Sequence, residues 1–333
     1  MLSWLTLSVQ AYTVPLKKGA KTPIQRVEPM NWWVGMQNPE LQILVYGKNM
    51  AAYRPEVNYP GVKIDRVVTT ANPNYEFIYL TIAPETRPGE MEIVFKKDGK
   101  KVFAYSYPLL AREKNSAMRK GFDQSDVIYL LMPDRFANGN PANDSHPDVT
   151  EKADRSNPNG RHGGDIQGII DHLDYLQDLG VTALWSTPLM EDNQPVTSYH
   201  TYAITDYYKI DPRYGTNADY KRLSAEAKKH GIKLVMDVVT NHCGSAHWWM
   251  NDLPAEDWVH QFDTFTRSNY RMGTIPDPYA SEVDRELNSK GWFDTSMPDL
   301  NQRNPLLMDY LIQNAIWWIE FADLGGLRID TYP

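Results

Sequence analysis

From residue 23 to residue 110 apolar and polar positions alternate over short runs, each broken by turn chemistry. The alternation predicts strands over residues 41–46, 62–67, 77–82, 89–95 and 102–105, because successive side chains of a strand face opposite ways. The last two flank Asp98-Gly99, a dipeptide suited to the positive φ values of a tight hairpin turn. Several short strands at this spacing predict a β-sandwich over 23–110. The polar run that begins at Ala111 predicts a linker over 111–125.

After Asp126 the pattern becomes strand, helix, strand, helix. Residues 127–132 form a continuous apolar run, as in parallel strands buried on both faces. A helix is predicted over 167–178, with Ile169, Ile170, Leu173, Leu176 and Leu179 on one face and Gly180 as its stop. A strand over 181–185 follows, then a helix over 217–230 capped by Asn217 and closed by Gly231, then a strand over 232–237. An excursion over 241–301 has little periodicity, and loops this long usually carry function. A helix over 305–323 feeds the final strand around Gly326 to Asp330. Four such steps predict the first half of a (β/α)8 TIM barrel over 126–333, with its site at the C-terminal strand ends. A doubly wound sheet fits the same pattern, although no glycine-rich phosphate fingerprint supports one.

Composition narrows the classes. A net charge of -8 with scattered basic residues argues against nucleic acid and favours a neutral ligand. Ten Trp and 20 Tyr supply core material and flat faces on which sugar rings can stack. The single cysteine, Cys243, excludes an intrachain disulfide. Residues 1–22 open on a short apolar run ending in small residues at Val9 and Ala11, which reads as a secretory signal-like leader; a buried first strand is the alternative. No later stretch approaches the roughly 18 apolar residues that span a bilayer.

Chemistry-bearing side chains fall at successive strand ends. His200 and Tyr202 follow the second barrel strand, and Asp237, Asn241 and His242 close the third. Met297-Pro298-Asp299-Leu300-Asn301 ends the excursion. Arg328 and Asp330 share one face of the fourth strand, where the guanidinium favours the ionised carboxylate a nucleophile requires. Taken alone, that pair reads first as a structural salt bridge at a strand end. The loop after the first strand is rich in Asn and Asp oxygens, the donors Ca²⁺ prefers, and composition by itself also fits an ordinary turn cluster.

Asp237-Val238-Val239-Thr240-Asn241-His242 and Gly326-Leu327-Arg328-Ile329-Asp330 resemble two short regions of the α-amylase family of glycoside hydrolases. Met297-Pro298-Asp299-Leu300-Asn301 resembles the region typical of its neopullulanase and cyclomaltodextrinase subgroup, and the preceding sandwich resembles that subgroup's N-terminal domain. The resemblance implies that Asp330 is the nucleophile of a retaining mechanism, held charged by Arg328, with Asp237 bracing Arg328. It implies that His200 and His242 bond sugar hydroxyls and that Tyr202 stacks beneath the ring. It further implies a structural Ca²⁺ held by Asn138, Asn140, Asn143, Asp144, the Gly163 carbonyl and Asp165. A second metal site at Asn241 and Asn301 lacks evident carboxylate partners.

A retaining glycosidase needs a second carboxyl group about 5 to 5.5 Å from the nucleophile. The family's glutamate follows a fifth barrel strand and a His-Asp pair follows a seventh, so the chain resembles an N-terminal fragment that is not expected to hydrolyse glycans alone. The resemblance implies α-1,4 linkages of maltodextrins, cyclodextrins or pullulan as substrate, a periplasmic bacterial setting and a homodimer for the full-length protein. Transglycosylation shares the chemistry. The competing class is a non-catalytic starch- or maltodextrin-binding protein with a relic barrel, against which the intact Arg328, Asp330, His242 and His200 set argues.

Overall fold

The computed structural model describes residues 22–331. The signal-like leader, apart from Thr22, lies outside them. Eight strands open the described chain: β1 (Ile24–Glu28), β2 (Trp32–Trp33), β3 (Glu40–Gly47), β4 (Arg54–Val57), β5 (Val62–Thr69), β6 (Tyr75–Ile82), β7 (Gly89–Lys97) and β8 (Lys100–Leu110). They form two four-stranded sheets, ordered β1-β3-β6-β5 and β2-β8-β7-β4. Alternate residues such as Met91, Ile93 and Phe95 on β7 are buried, so the period-two pattern selects the inner face as expected. The turn joining β7 to β8 has φ of 51° at Asp98 and 74° at Gly99, the two positive values its sequence predicts.

The second half contains β9 (Ile128–Leu131), α1 (Pro133–Phe136), α2 (Ile166–Ile170), α3 (Leu173–Asp178), β10 (Ala183–Ser186), β11 (Met190–Glu191), β12 (Asp206–Ile210), α4 (Asn217–Lys229), β13 (Lys233–Val239), α5 (Glu282–Lys290), α6 (Pro305–Ala322) and β14 (Gly326–Asp330). The parallel sheet runs β9-β10-β13-β14, each strand beside the next in sequence. A doubly wound sheet reverses its strand order partway; this one does not, so it is the succession of a barrel wall.

Three expectations are corrected. The helix predicted over 167–178 is two helices separated at Asp171 and His172, although Ile169, Leu173 and Leu176 are all buried, so the apolar stripe crosses the break without marking it. The cap of α4 is Thr216, which exchanges bonds with Asp219 in a capping box, while Asn217 instead bonds the β12 backbone. The run at 127–132 is not buried on both faces: Ile128 is 44% and Leu130 52% exposed, because β9 is an edge strand whose flank no described residue covers.

The two halves are bolted together by polar bonds set among aromatic rings. Gln313 of α6 bonds both backbone atoms of Gln42 on β3, at 2.6 and 2.9 Å. Trp317 reaches Asn31, and Arg112 of the predicted linker bonds Glu320 at 2.7 Å. Asp252, in the excursion, accepts from Asn72 at 2.5 Å and Asn74 at 2.8 Å, and its carbonyl accepts from Tyr75.

Glu28 sits inside this interface, bonded by Tyr310 at 2.7 Å and Arg26 at 3.1 Å, with Asp206 sharing Arg26. Burial first, and the Asp206 charge second, push its carboxyl up to about 7. The folded state then holds a proton that the unfolded chain releases near pH 4, so stability should fall as pH rises through that window, by on the order of 1 kcal/mol per pH unit. Denaturant midpoints between pH 4.5 and 7.5 should follow this slope, and Glu28→Gln should flatten it; an unchanged slope in the variant would remove Glu28 as its source.

Candidate functional site

The third and fourth strands carry the charged centre of the site. Parallel pairing sets Asp237 of β13 beside Arg328 of β14. Arg328 bonds both oxygens of Asp237, at 3.3 and 3.2 Å, and the same nitrogen bonds Asp330. Trp185, on β10, donates its indole N–H to Asp237 at 2.9 Å and lies under the guanidinium, 4.8 Å from ring centroid to Cζ. Burial pushes the Asp237 carboxyl up, opposed by the Trp185 bond and the Arg328 charge. Burial also works to lower the Arg328 pKa, but its two carboxylate partners outweigh it and leave it raised. Arg328 is therefore a fixed cation tethered between two carboxylates, one buried beneath it and one facing the opening.

His200, Tyr202 and His242 surround that centre. His200 ends a short turn whose flanking Thr197 and Thr201 hold positive φ values of 62° and 61°. Half-buried Glu151 accepts from the Thr197 and Ser198 amides at 3.1 and 2.6 Å, and buried Arg161 donates to the Ser198 carbonyl at 2.9 Å, so two charged side chains pin this loop. Tyr202 donates to Asp237 at 3.2 Å; burial and then that carboxylate raise its pKa, which keeps it a phenol. His242 faces two carbonyl oxygens, Asn241 Oδ1 at 3.0 Å from Nδ1 and Tyr202 O at 3.2 Å from Nε2. Burial holds its pKa down to about 4, so the ring is neutral and has one N–H for two acceptors.

All five residues expected at the mouth, His200, Tyr202, His242, Arg328 and Asp330, line one cavity of about 560 Å³. Asp237 does not line it and lies behind Arg328. The excursion roofs the cavity with Tyr270, Met272, Asn288, Phe293 and Met297. Of these the sequence motifs single out only Met297; the others come from segments without periodicity, and their one local signal is the aromatic character of Tyr270 and Phe293. The rest of 297–301 braces the loop rather than facing the cavity: Asp299 is buried, bonded to His260 at 2.6 Å and to Asn241 at 3.2 Å, and Asn301 bonds the Asp257 carbonyl. Among the residues lining the cavity, Asp330 is the carboxylate.

The expected calcium ligands are partly assembled. A Cβ on Gly163, whose φ is +88°, would lie 2.7 Å from the Asp144 carboxyl carbon and 2.8 Å from Asn138 Nδ2, so these three groups converge where only glycine fits. Both Asp144 oxygens are met by one Asn138 nitrogen, at 2.8 and 3.0 Å, while the Oδ1 atoms of Asn138 and Asn143 are buried without donors. Orphaned oxygens around a carboxylate fit a hard cation. Asp165 instead accepts three backbone N–H groups, from Gly139, Asn140 and Gly168, the last as the cap of α2. Asn140 is exposed. Among the described residues no group of three His, Cys, Asp or Glu side chains is placed to hold a metal.

Residues 130–333 match the family model described as alpha amylase, catalytic domain, and residues 26–113 match that described as cyclomaltodextrinase, N-terminal. The chain is 32% identical over 229 residues to a cyclomaltodextrinase of Thermoanaerobacter pseudethanolicus, covering 68% of this chain and 38% of that protein. It is 31% identical over 273 residues to neopullulanase 2 of Thermoactinomyces vulgaris, covering 77% and 42%. The solved structure of an Anoxybacillus alpha-amylase aligns with a TM-score of 0.51 and 39% identity over 62% of this chain and 40% of that one. The chain thus spans about two-fifths of the length of these curated relatives.

Proposed function

This chain belongs to the alpha-amylase family, and from that premise we propose that its mouth is the nucleophile half of an α-glucan hydrolase site of the cyclomaltodextrinase and neopullulanase kind. The substrates are α-1,4-linked maltodextrins, cyclodextrins or pullulan, cleaved with retention. The observation that carries this is the convergence of Asp330, its Arg328 tether, His200, His242 and Tyr202 on one cavity. Asp330 attacks the anomeric carbon, and Arg328, braced by Asp237, holds it charged and aimed. His242 lacks a proton for one of its two carbonyl neighbours, and a sugar hydroxyl donating to that nitrogen relieves the mismatch. Tyr202 offers a ring face to the same sugar.

A leaving glucosyl oxygen needs a proton, and among the described residues no glutamate lines the cavity. The chain by itself is therefore expected to release no reducing sugar from starch, pullulan or β-cyclodextrin above a buffer blank. Measurable release would refute the division of the site into two halves. The competing binding-protein reading predicts glycan affinity that survives loss of Asp330 chemistry, and nothing in the cavity favours it over the tethered carboxylate.

The same proposal includes a structural Ca²⁺ at Asn138, Asn143, Asp144 and the Gly163 carbonyl, with Asn140 and Asp165 as the expected remaining ligands. Repletion after chelation should raise the melting temperature by about 4 °C at saturating calcium, and Asp144→Ala should abolish the rise. Equal melting temperatures with and without calcium would count against the site. An exported, periplasmic setting rests on the apolar opening run, and a homodimer of the full-length protein rests on the subgroup resemblance. No helix among the described residues is long and apolar enough to cross a membrane.

A further inference from the structure

Behind the mouth a polar relay runs from the excursion to His242. Residues 241–243 and 298–300 are zipped by backbone bonds, Cys243 N to Pro298 O at 3.2 Å and Leu300 N to Asn241 O at 2.9 Å, and His242 and Asp299 are partners in an antiparallel bridge. The side chains follow the same path. His260 Nδ1 lies 2.6 Å from one oxygen of Asp299, whose other oxygen accepts from Asn241 Nδ2 at 3.2 Å, and Asn241 Oδ1 faces His242 Nδ1 at 3.0 Å. Asp299 is 2% exposed and His242 1%. Phe293 stacks on the His242 ring, centroids 5.2 Å apart, and fixes its plane.

An ionised carboxylate only accepts, so the Asn241 amide turns its NH2 to Asp299 and its oxygen to His242. That oxygen also only accepts, and it bonds His242 only if Nδ1 carries the single proton of the neutral ring. One arrangement would satisfy both ring nitrogens: the amide turned over, its NH2 donating to Nδ1, and Nε2–H donating to the Tyr202 carbonyl 3.2 Å away. That arrangement sets the amide oxygen against the buried Asp299 carboxylate, acceptor against acceptor. With the amide unturned, each tautomer leaves one mismatch, at 3.0 Å for Nε2–H and at 3.2 Å for Nδ1–H; the amide oxygen is the better acceptor because its NH2 end bonds a charge. Burial pushes the Asp299 carboxyl up, and the His260 and Asn241 bonds oppose this by favouring the charged form. We propose that Asp299, oriented by His260, is a positioning residue that acts through Asn241 to hold His242 as the Nδ1–H tautomer, with Nε2 left unprotonated. The inference rests on the α-glucan reading in one respect only: an unprotonated Nε2 accepts from a sugar hydroxyl, and Nε2–H does not.

The test is long-range ¹H–¹⁵N correlation NMR of the chain with labelled histidine at neutral pH, the His242 signals being identified by their loss in His242→Gln. The parent is expected to show a protonated Nδ1 and a bare Nε2, in about tenfold excess over the other tautomer. Asp299→Asn, equal in size and able to donate to a turned amide oxygen, should reverse the assignment to Nε2–H. His260→Gln, whose amide also donates to Asp299, should keep the parent pattern. A merely structural Asp299 would leave the tautomer unchanged in Asp299→Asn; that result overturns the proposal, as does Nε2–H in the parent. Saturating maltoheptaose should move the parent's Nε2 signal in the direction of an accepted hydrogen bond and leave Nδ1–H in place. Nδ1–H with no such shift keeps the relay and removes the sugar contact proposed for His242, whereas Nε2–H in the parent removes the relay whether or not the sugar binds. Amide exchange over residues 241–243 and 298–300 in each variant separates a moved proton from an unzipped loop.

Discussion

An α-maltosyl fluoride carrying a second fluorine at C5 is expected to add the mass of one 5-fluoromaltosyl group to the chain, on Asp330, even though starch is left intact. Attack by the Asp330 carboxylate forms the bond to the anomeric carbon while the C1–F bond breaks and fluoride departs with its electron pair. No proton has to reach the leaving group, so the step needs the nucleophile and its tether but no general acid. Asp330→Asn should abolish the adduct, a complete loss rather than a slowing. Arg328→Met should slow labelling by on the order of a hundredfold, because the carboxylate loses the cation that bonds it and the link through Arg328 to Asp237. Peptide mapping by mass spectrometry decides it. A label on another residue, or none on a folded chain, would remove Asp330 as nucleophile.

The second large effect is on stability. Asp211 is fully buried, and it holds Arg213 through bonds of 2.8 and 2.6 Å with Arg161 3.9 Å away; both arginines are 1% exposed. Burial works to raise the Asp211 carboxyl, but Arg161 and Arg213 outweigh it and pull the pKa below its usual range. Asp211→Ala leaves Arg213 buried without its carboxylate and Arg161 with Asp134, 3.8 Å away, as its remaining one, and removing one member of such a cluster costs about 3 to 5 kcal/mol. The denaturant midpoint should fall accordingly, and protection of the Ser198–His200 turn should fall with it, since Arg161 also bonds the Ser198 carbonyl. Because the folded pKa is depressed, this contribution is present above the unfolded carboxylate value near pH 4 and is lost as pH drops through the folded one. A change under about 1 kcal/mol would mean that water or new partners satisfy the arginines.

How much of this was readable in advance differs by element. Strands β3, β5, β6, β7 and β8, the Asp98-Gly99 turn and the strand carrying Arg328 and Asp330 were legible because a two-residue period and turn dipeptides act over short distances, whereas β1, β2 and β4 were not predicted. The break between α2 and α3 was not, since the buried stripe of Ile169, Leu173 and Leu176 continues across it. The cap of α4 was misplaced by one residue because Thr216 and Asn217 are both good caps, and only the reciprocal bond from Asp219 distinguishes them. Asp165 has the right chemistry for a metal ligand, but whether its oxygens meet a cation or three amides depends on where α2 begins.

For the mouth, the sequence by itself determined which groups stand at the strand ends, since Arg328, Asp330, Asp237, His242 and His200 are placed by strand period and by motif. Only the tertiary structure decided that Trp185 supports Asp237, that buried Arg161 pins the His200 turn, and that Tyr270, Asn288 and Phe293 close over the cavity. The reason is physical. Strand-end chemistry follows from a local backbone geometry that repeats every two residues, whereas a roof is assembled from loop positions whose proximity comes from packing between segments far apart in the chain and leaves no periodic trace in the sequence.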